Sequence, residues 1–213
     1  MISPLLANVY LHLLDRVWER RRLQKRLEAR LVRYADDIVV LCREGSQAPL
    51  AVIQRVFDRL ELRLNESKSA IVNAKHESFV FLGFEFRMRT SFATGNEYPH
   101  VRPSRRSLQK IKAHVTLLTH RRYAVLPLPV VMKRVNDALR GWVGYFHYRN
   151  CAKSLGQVKG HAEQRVRTHL CKRHKIRSRW TALKRYPNSA LYQKYGLYRV
   201  PTTAGWSKAH TLR

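Results

Sequence analysis

The stretch Leu31-Val32-Arg33-Tyr34-Ala35-Asp36-Asp37-Ile38-Val39-Val40-Leu41 decides the fold of the first half of the chain. Its apolar ends predict two β-strands joined by a tight turn, with the paired acids at the tip. Two neighbouring carboxylates can hold a divalent cation, because Mg²⁺ prefers oxygen ligands. A solvated Asp-Asp turn is the alternative, since successive strand residues face opposite sides of a hairpin. The pattern therefore predicts a hairpin whose tip, Asp36 and Asp37, is a candidate metal centre.

Positive charge is concentrated in the second half of the chain. The 213 residues include 42 Lys and Arg against 14 Asp and Glu, a formal net charge of +28. Residues 1–100 hold 16 basic and 12 acidic residues, which gives +4, whereas residues 101–213 hold 26 and 2, which gives +24. A globular segment of this charge is typical of proteins that bind a polyanion, and nucleic acid is the favoured partner.

Composition disfavours a membrane partner and a disulfide framework. The basic residues are spread through a Trp- and Tyr-containing segment instead of one short amphipathic helix, and no apolar run reaches membrane-spanning length. The cysteines Cys42, Cys151 and Cys171 form no closely spaced pairs, which favours a reducing compartment. The N-terminal residues do not resemble a signal peptide, so we expect the protein in the cytoplasm.

Hydrophobic periodicity predicts a mixed α+β chain. Ser3-Pro4 is a cap-and-proline start for a helix that runs to about Arg30, and a second helix begins at Pro49. Residues 62–72 predict a turn and a short strand, and residues 79–86 predict a strand pair bent at Gly83.

Helices dominate the remainder of the predicted fold. Three helical patterns follow Arg102, the last over about residues 158–173, and the pattern fades beyond about Tyr186. Gly141 and Gly144 predict close helix packing, which would place the intervening Trp142 in the core together with Phe146.

Five motifs, in order, resemble those of bacterial group II intron-encoded reverse transcriptases. Tyr34-Ala35-Asp36-Asp37 resembles the catalytic box of reverse transcriptases, and residues 2–11 resemble the box just upstream of it. Leu64-Asn65 with Lys68 resembles the next palm motif. Phe81-Leu82-Gly83-Phe84 is similar to the primer grip, and Gly141-Trp142-Val143-Gly144-Tyr145-Phe146 is similar to the core of the maturase domain.

The resemblance implies a domain organisation. Residues 1–90 would form a partial reverse-transcriptase palm of antiparallel hairpins with packed helices, and residues 91–102 a linker. An extended hairpin over residues 87–102 is the alternative, because Thr94-Gly95-Asn96 is a turn signal. Residues 103–181 would form an α-helical thumb and maturase-specific domain, followed by a basic C-terminal tail over residues 182–213.

The resemblance also implies RNA-templated DNA synthesis by two-metal catalysis. Asp36 would be the main Mg²⁺ ligand and Asp37 a supporting acid. Lys68 would lie near the phosphates of the incoming dNTP as a proton donor, with an ordinary solvated lysine as an equal alternative. Further residues would contact the nucleotide and template (Ser3, Pro4 and Tyr34) or form the primer grip (Phe81, Leu82 and Gly83). For Ser3 and Pro4, a simple helix cap is the alternative.

The family's third carboxylate and its fingers lie upstream of the box at residues 2–11. We therefore expect this chain to be part of a split, truncated or incompletely predicted reading frame that polymerises poorly or not at all alone. An acid from a separately encoded fingers and palm fragment would complete the Mg²⁺ site. A non-enzymatic RNA-binding maturase fragment is one alternative, and a retron-type reverse transcriptase is another. The element at residues 141–146 favours the intron class.

The basic half is expected to bind group II intron RNA, beside the RNA template and DNA primer of the polymerase reaction. Lys and Arg side chains neutralise phosphates, so the affinity should fall steeply with salt. The candidate RNA-binding residues are Arg105, Arg106, Lys110, Lys112, Arg165, Arg167, Lys172 and Arg173.

The sequence His169-x-Cys171-x₂-His174 lacks the paired cysteines of structural zinc sites, so we interpret these histidines as part of a basic helix. Because we expect the protein to bind intron RNA, we also expect it in a ribonucleoprotein associated with the bacterial nucleoid.

Overall fold

The computed structural model describes residues 3–205, without the side chains of Ser3 and Pro4. The chain divides into two compact units after Asn73. Each is described by itself below. Together they form the α+β fold that the sequence predicts, with small antiparallel sheets in both units.

The first unit packs helices against a single β-hairpin. Its elements are α1 (Ser3–Arg20), α2 (Leu23–Arg26), β1 (Ala29–Tyr34), β2 (Asp37–Cys42) and α3 (Gln47–Arg59). Tyr34 pairs with Asp37 at the end of the antiparallel ladder, which leaves Ala35 and Asp36 as the two turn residues. The hairpin forms because one face of each strand is apolar and packs on a core that includes Leu14, Trp18, Ile53 and Phe57.

Two predictions for this unit are wrong. The first helix ends at Arg20 and not near Arg30, because the backbone takes positive φ at Arg22 and Glu28 and turns into β1. The buried Ala29 fixes that turn, since its carbonyl accepts a hydrogen bond of 3.3 Å from the indole Nε1 of Trp18. Residues 62–72 contain the predicted turn but no strand.

The second unit begins with a three-stranded antiparallel sheet. Strands β3 (Phe79–Phe81), β4 (Phe84–Thr90) and β5 (Glu97–Pro103) lie in that order, with Phe86 opposite Val101. The residues predicted as a linker, 91–102, are occupied by a turn and by most of β5. The cause is local, because the turn around Gly95 folds the chain back along β4.

Helices form the larger part of the second unit. They are α4 (Arg105–Leu118), a 3₁₀ turn (Arg121–Val125), α5 (Leu128–Phe146), α6 (Ala152–Arg173), α7 (Arg179–Arg185) and α8 (Asn188–Gln193). The Ser104 hydroxyl caps α4 by accepting a hydrogen bond from the Ser107 amide. None of the helices in residues 3–205 is long and apolar enough to cross a membrane.

The residues predicted as a basic tail contribute to the core of this unit. Leu191, Leu197 and Val200 are buried with α4, α5 and α6. The Asn136 side chain holds this segment through both of its polar atoms, since Nδ2 donates to the Gly196 carbonyl at 2.7 Å and Oδ1 accepts from the Tyr198 amide at 2.8 Å. The sequence pattern fades here because the burial depends on tertiary contacts and not on a helical repeat.

The two glycines of the 141–146 element do not mediate close packing. Gly141 and Gly144 are exposed, and a Cβ atom at either position would meet nothing within 4 Å. The core prediction for Phe146 is confirmed, and Trp142 packs against the same core while partly exposed.

Candidate metal centre and nucleic-acid interface

The tip of the β1–β2 hairpin presents both acids to solvent. Asp37 lies opposite Tyr34 on the outer face of the hairpin, and the Tyr34 side chain is 64 % exposed. Asp36 occupies the turn beside Ala35, whose φ is 53°. Neither carboxylate makes a hydrogen bond or ion pair within residues 3–205. Free carboxylate oxygens are the donor type that Mg²⁺ accepts, so the two acids fit this cation chemically.

A third ligand does not join them in the described part of the chain, where no group of three His, Cys, Asp or Glu side chains could hold a metal. Asp15 on α1 has another role, because its carboxylate is paired with Arg33.

Arg33 fixes the hairpin tip from its inner face. Its Nη2 lies 2.5 Å from Asp15 Oδ2, and its Nη1 donates to the Ala35 carbonyl at 2.9 Å and to Asn8 Oδ1 at 2.8 Å. A single guanidinium thus ties α1 to the turn that carries Asp36. Arg33 was not among the predicted site residues. The signal was present, because a charged residue stood at an inward position of an otherwise apolar strand pattern.

Lys68 lies on the turn after α3 and is exposed. Its amide donates to the Asn65 carbonyl at 3.0 Å, and its ammonium group makes no hydrogen bond within the described residues. The contacts of the first unit therefore bring Tyr34, Asp36 and Asp37 together at one tip but do not join Lys68 to them. Helix α1 begins at Ser3, and the side chains of Ser3 and Pro4 lie outside the described part of the structure.

The predicted primer-grip residues form a rigid turn between β3 and β4. Phe81 pairs with Phe84, and Leu82 and Gly83 both have positive φ, 50° and 81°, as tight hairpin turns require. The Leu82 carbonyl accepts a hydrogen bond from the Tyr145 hydroxyl at 3.0 Å.

The neighbouring carbonyl of this turn is held as well. Gly83 O accepts from the Ser104 amide at 2.9 Å and from the Ser107 hydroxyl at 3.0 Å. These contacts anchor the turn to the start of α4 and the end of α5. Sequence reasoning missed Tyr145 and Ser107, because only the tertiary fold brings residues so distant in sequence to the turn.

Models of known protein families match one segment in each half of the chain. Residues 1–86 match the family model of the reverse transcriptase (RNA-dependent DNA polymerase), and residues 108–187 match that of the group II intron maturase-specific domain. The chain belongs to the group II intron reverse transcriptase/maturase family. The family and the α+β fold predicted from the sequence are thereby confirmed. A search of curated proteins gave no match.

The reverse transcriptase match contains the hairpin acids, Lys68 and the Leu82-Gly83 turn. The maturase-specific match begins after Arg105 and Arg106 and ends at Pro187. The occurrence of the maturase-specific domain favours the intron class over a retron-type enzyme.

Three of the predicted RNA-binding arginines of the maturase-specific domain make structural contacts. Arg165 Nε donates to Thr119 Oγ1 at 3.3 Å, and Arg173 Nη1 donates to the Leu126 carbonyl at 2.6 Å. Arg167 Nε donates to the Tyr186 carbonyl at 2.9 Å. Arg167 and Arg173 thus satisfy backbone carbonyls and Arg165 satisfies a hydroxyl, which leaves all three side chains less free to meet phosphate.

Four of the predicted cations are exposed and make no hydrogen bond or ion pair within residues 3–205: Arg105, Arg106, Lys110 and Lys172. Lys112 is intermediate, because it is partly buried and donates to Gln157 Oε1 at 3.1 Å. The structure thus separates free cations, three on α4 and Lys172 near the end of α6, from the structural arginines of α6.

The histidines of α6 have structural contacts. His169 is buried, with Nδ1 3.2 Å from the Thr119 carbonyl, and His161 Nε2 lies 2.9 Å from the Lys112 carbonyl. Burial lowers the pKa of both imidazoles, and nearby cations lower it further. Burial also raises the pKa of the Cys171 thiol.

Proposed function

We propose that this chain carries two of the Mg²⁺ ligands of an RNA-directed DNA polymerase and binds the RNA of a group II intron, which it copies and helps to splice. The observation that carries the proposal is the pair of adjacent, unpartnered carboxylates at an exposed hairpin tip, within the segment that matches reverse transcriptases. The maturase-specific match and the charge of residues 101–213 support the RNA-binding part.

Asp36 is the main ligand in this proposal and Asp37 the supporting acid. Together they would hold Mg²⁺, which would supply Lewis-acid chemistry at the primer 3′-hydroxyl and at the leaving pyrophosphate. The ordered Arg33 contact supports a fixed position for the turn, which such chemistry needs. In this proposal a third carboxylate completes the site, and a separately encoded fragment that also carries the fingers would supply it.

The remaining predicted residues bind the substrates. Tyr34 is exposed opposite Asp37 and contacts the nucleotide or template, with Ser3 and Pro4 at the start of α1. Lys68 approaches the dNTP phosphates. The anchored turn of Phe81, Leu82 and Gly83 positions the DNA primer.

RNA binding is assigned to the free cations. Arg105, Arg106 and Lys110 are exposed on α4, where phosphate contacts need no rearrangement of the core. The protein would then reside in the cytoplasm as a ribonucleoprotein with its intron, near the nucleoid of a bacterial host.

Primer extension on an RNA template tests the polymerase part. The wild-type chain, Asp36→Asn and the control Asp58→Asn are each assayed alone and with a separately expressed fragment that carries the fingers and the third acid. We expect synthesis only in the mixtures of wild type or Asp58→Asn with the fragment. Equal synthesis by Asp36→Asn would contradict the proposed site, and synthesis by the wild-type chain alone would contradict the need for the separate fragment.

A maturase that binds RNA without synthesis is the second candidate, and the net charge of +24 over residues 101–213, from 26 basic and 2 acidic residues, favours it. The double variant Arg105→Glu/Arg106→Glu tests RNA binding. It should weaken the affinity for intron RNA and reduce its dependence on salt, with unchanged thermal unfolding. The matched control is Lys153→Glu/Lys184→Glu, which reverses two exposed cations elsewhere. An equal effect of both pairs would contradict a specific role for α4.

A further inference from the structure

A cleft of about 290 Å³ lies between the end of α6 and the segment that leads into α7. Thr168, Cys171 and Lys172 line one side, and Arg177 and Leu183 lie across from them. Its volume is close to the lower end of the usual range for small-molecule sites, roughly 300 Å³, which suits a ligand about as large as one nucleotide.

The cleft carries uncompensated positive charge. Lys172, Arg177 and Arg179 are exposed, and none of them makes an ion pair or hydrogen bond within the described residues. Acidic side chains are absent from its described lining.

The two acids of residues 101–213 are engaged elsewhere. Asp137 lies 3.8 Å from Lys133, and buried Glu163 accepts hydrogen bonds from Tyr192 and Asn188. The electrostatics of the cleft therefore favour an anion.

The lining also includes apolar surface. Ile176, Ala182 and Leu183 line the cleft, and Ile176 packs against the core of the unit. Leu183 stays 42 % exposed, and nearby Trp180 is 80 % exposed. Apolar surface beside free cations suits a ligand with a flat ring and a phosphate, since each part then meets its preferred partner.

We propose that this cleft binds one unpaired nucleotide of RNA, with its base against Leu183 and Ile176 and its phosphates at Lys172, Arg177 and Arg179. A duplex fits poorly, because paired and stacked bases hide the ring faces that the apolar surface would cover. The inference rests on the proposed function for its partner, RNA. It adds a strand preference that the exposed cations of α4 do not provide.

Fluorescence anisotropy with short RNAs tests the cleft in the full chain. The probes are a single-stranded uridine oligomer, the same oligomer with abasic positions, and a duplex of equal length. The cation variant is Lys172→Ala/Arg177→Ala, and its matched control Lys153→Ala/Lys184→Ala removes two exposed lysines outside the lining. The apolar variant is Leu183→Ser, with Leu117→Ser as a similarly exposed control on α4. Thermal unfolding verifies that each variant is folded.

The cation variant should lower single-strand affinity roughly tenfold, and its control far less. Leu183→Ser should lower the affinity for the uridine oligomer several-fold but leave the affinities for the abasic oligomer and the duplex unchanged. Photocrosslinking of 4-thiouridine RNA should label the peptide that contains residues 176–183.

If lining and control variants changed the RNA affinity equally while intron RNA still bound, the cleft would not be the nucleotide site, and the proposed function would be unaffected. An equal effect of Leu183→Ser on the uridine and abasic oligomers would overturn the base contact. If the wild-type chain bound no RNA at all, both the proposed function and this inference would fail.

Discussion

Arg33 Nη2 lies 2.5 Å from Asp15 Oδ2, and this ion pair joins α1 to the strand that leads into Tyr34-Ala35-Asp36-Asp37. The same guanidinium donates to the Ala35 carbonyl, within a turn whose φ is positive at Ala35. Non-glycine residues seldom adopt such a conformation without support. The pair therefore holds the candidate metal ligands on a defined turn.

Loss of this ion pair should destabilise the first unit. Asp15→Asn leaves the largely buried Arg33 charge without its carboxylate and should lower the free energy of unfolding by about 1–3 kcal/mol. Urea titration measures the change, and Asp58→Asn, at an exposed position of α3, is the control. Equal urea midpoints for the two variants would show that the ion pair contributes little.

The Leu82-Gly83 turn should be intolerant of a methyl group. Gly83→Ala places a Cβ 3.0 Å from Ser107 Oγ and 3.2 Å from Phe146 Cζ, in addition to the cost of positive φ. Gly95→Ala has similar positive φ but an open environment. It should therefore lower the free energy of unfolding only by the cost of positive φ, about 1–2 kcal/mol. A greater fall in melting temperature for Gly83→Ala than for Gly95→Ala is expected. The reverse order would argue against the anchored turn.

The C-terminal segment should behave as core. Leu191 is fully buried, so Leu191→Ala should cost about 2–5 kcal/mol of unfolding free energy. Leu117→Ala, at a position that is 48 % exposed, should change the same quantity by about 0.5 kcal/mol or less. Chemical denaturation distinguishes the two, and a neutral Leu191→Ala would restore the interpretation of this region as a tail.

Acid should destabilise the maturase-specific domain before most carboxylates titrate. The pKa of His161 and of His169 is lowered in the folded state by burial, so the unfolded chain binds more protons below its own histidine pKa of about 6.5. Stability is therefore complete above that pH and falls as the pH is lowered through it. Urea midpoints at about pH 7.5 and about pH 5.5 measure the loss. His169→Asn should make the urea midpoint less dependent on pH. An unchanged pH dependence would exclude His169 as a contributor.

The fold was predictable where local pattern and burial agree. Alternation around Tyr34-Ala35-Asp36-Asp37 predicts the hairpin, and the apolar spacing of Ile111 and Val115 predicts α4, because both patterns describe one buried face. The C-terminal segment was not predictable in this way. Its buried residues, Leu191, Leu197 and Val200, have no common period and depend on Asn136, some sixty residues away.

Part of the candidate site was likewise predictable from the sequence, and part was not. Asp36 and Asp37 could be located from sequence, because adjacent acids at a turn are a local signal. The contact between Tyr145 and Leu82 could not, since it joins residues 63 positions apart. Charge alone also could not separate the free Arg105 from the structural Arg173, because the fold brings the Ala124 and Leu126 carbonyls to Arg173.

Site-specific binding of Mn²⁺, used as a paramagnetic substitute for Mg²⁺, tests the central claim most directly. Amide resonances of residues 34–38 should broaden selectively in NMR spectra as Mn²⁺ is added to the full chain, because the two carboxylates at the tip bind the cation. Asp36→Asn should abolish this broadening, while Glu44→Gln, at another exposed acid, should preserve it. Broadening that is equal at all exposed acids, or that persists in Asp36→Asn, would contradict the assignment of Asp36 and Asp37 as metal ligands.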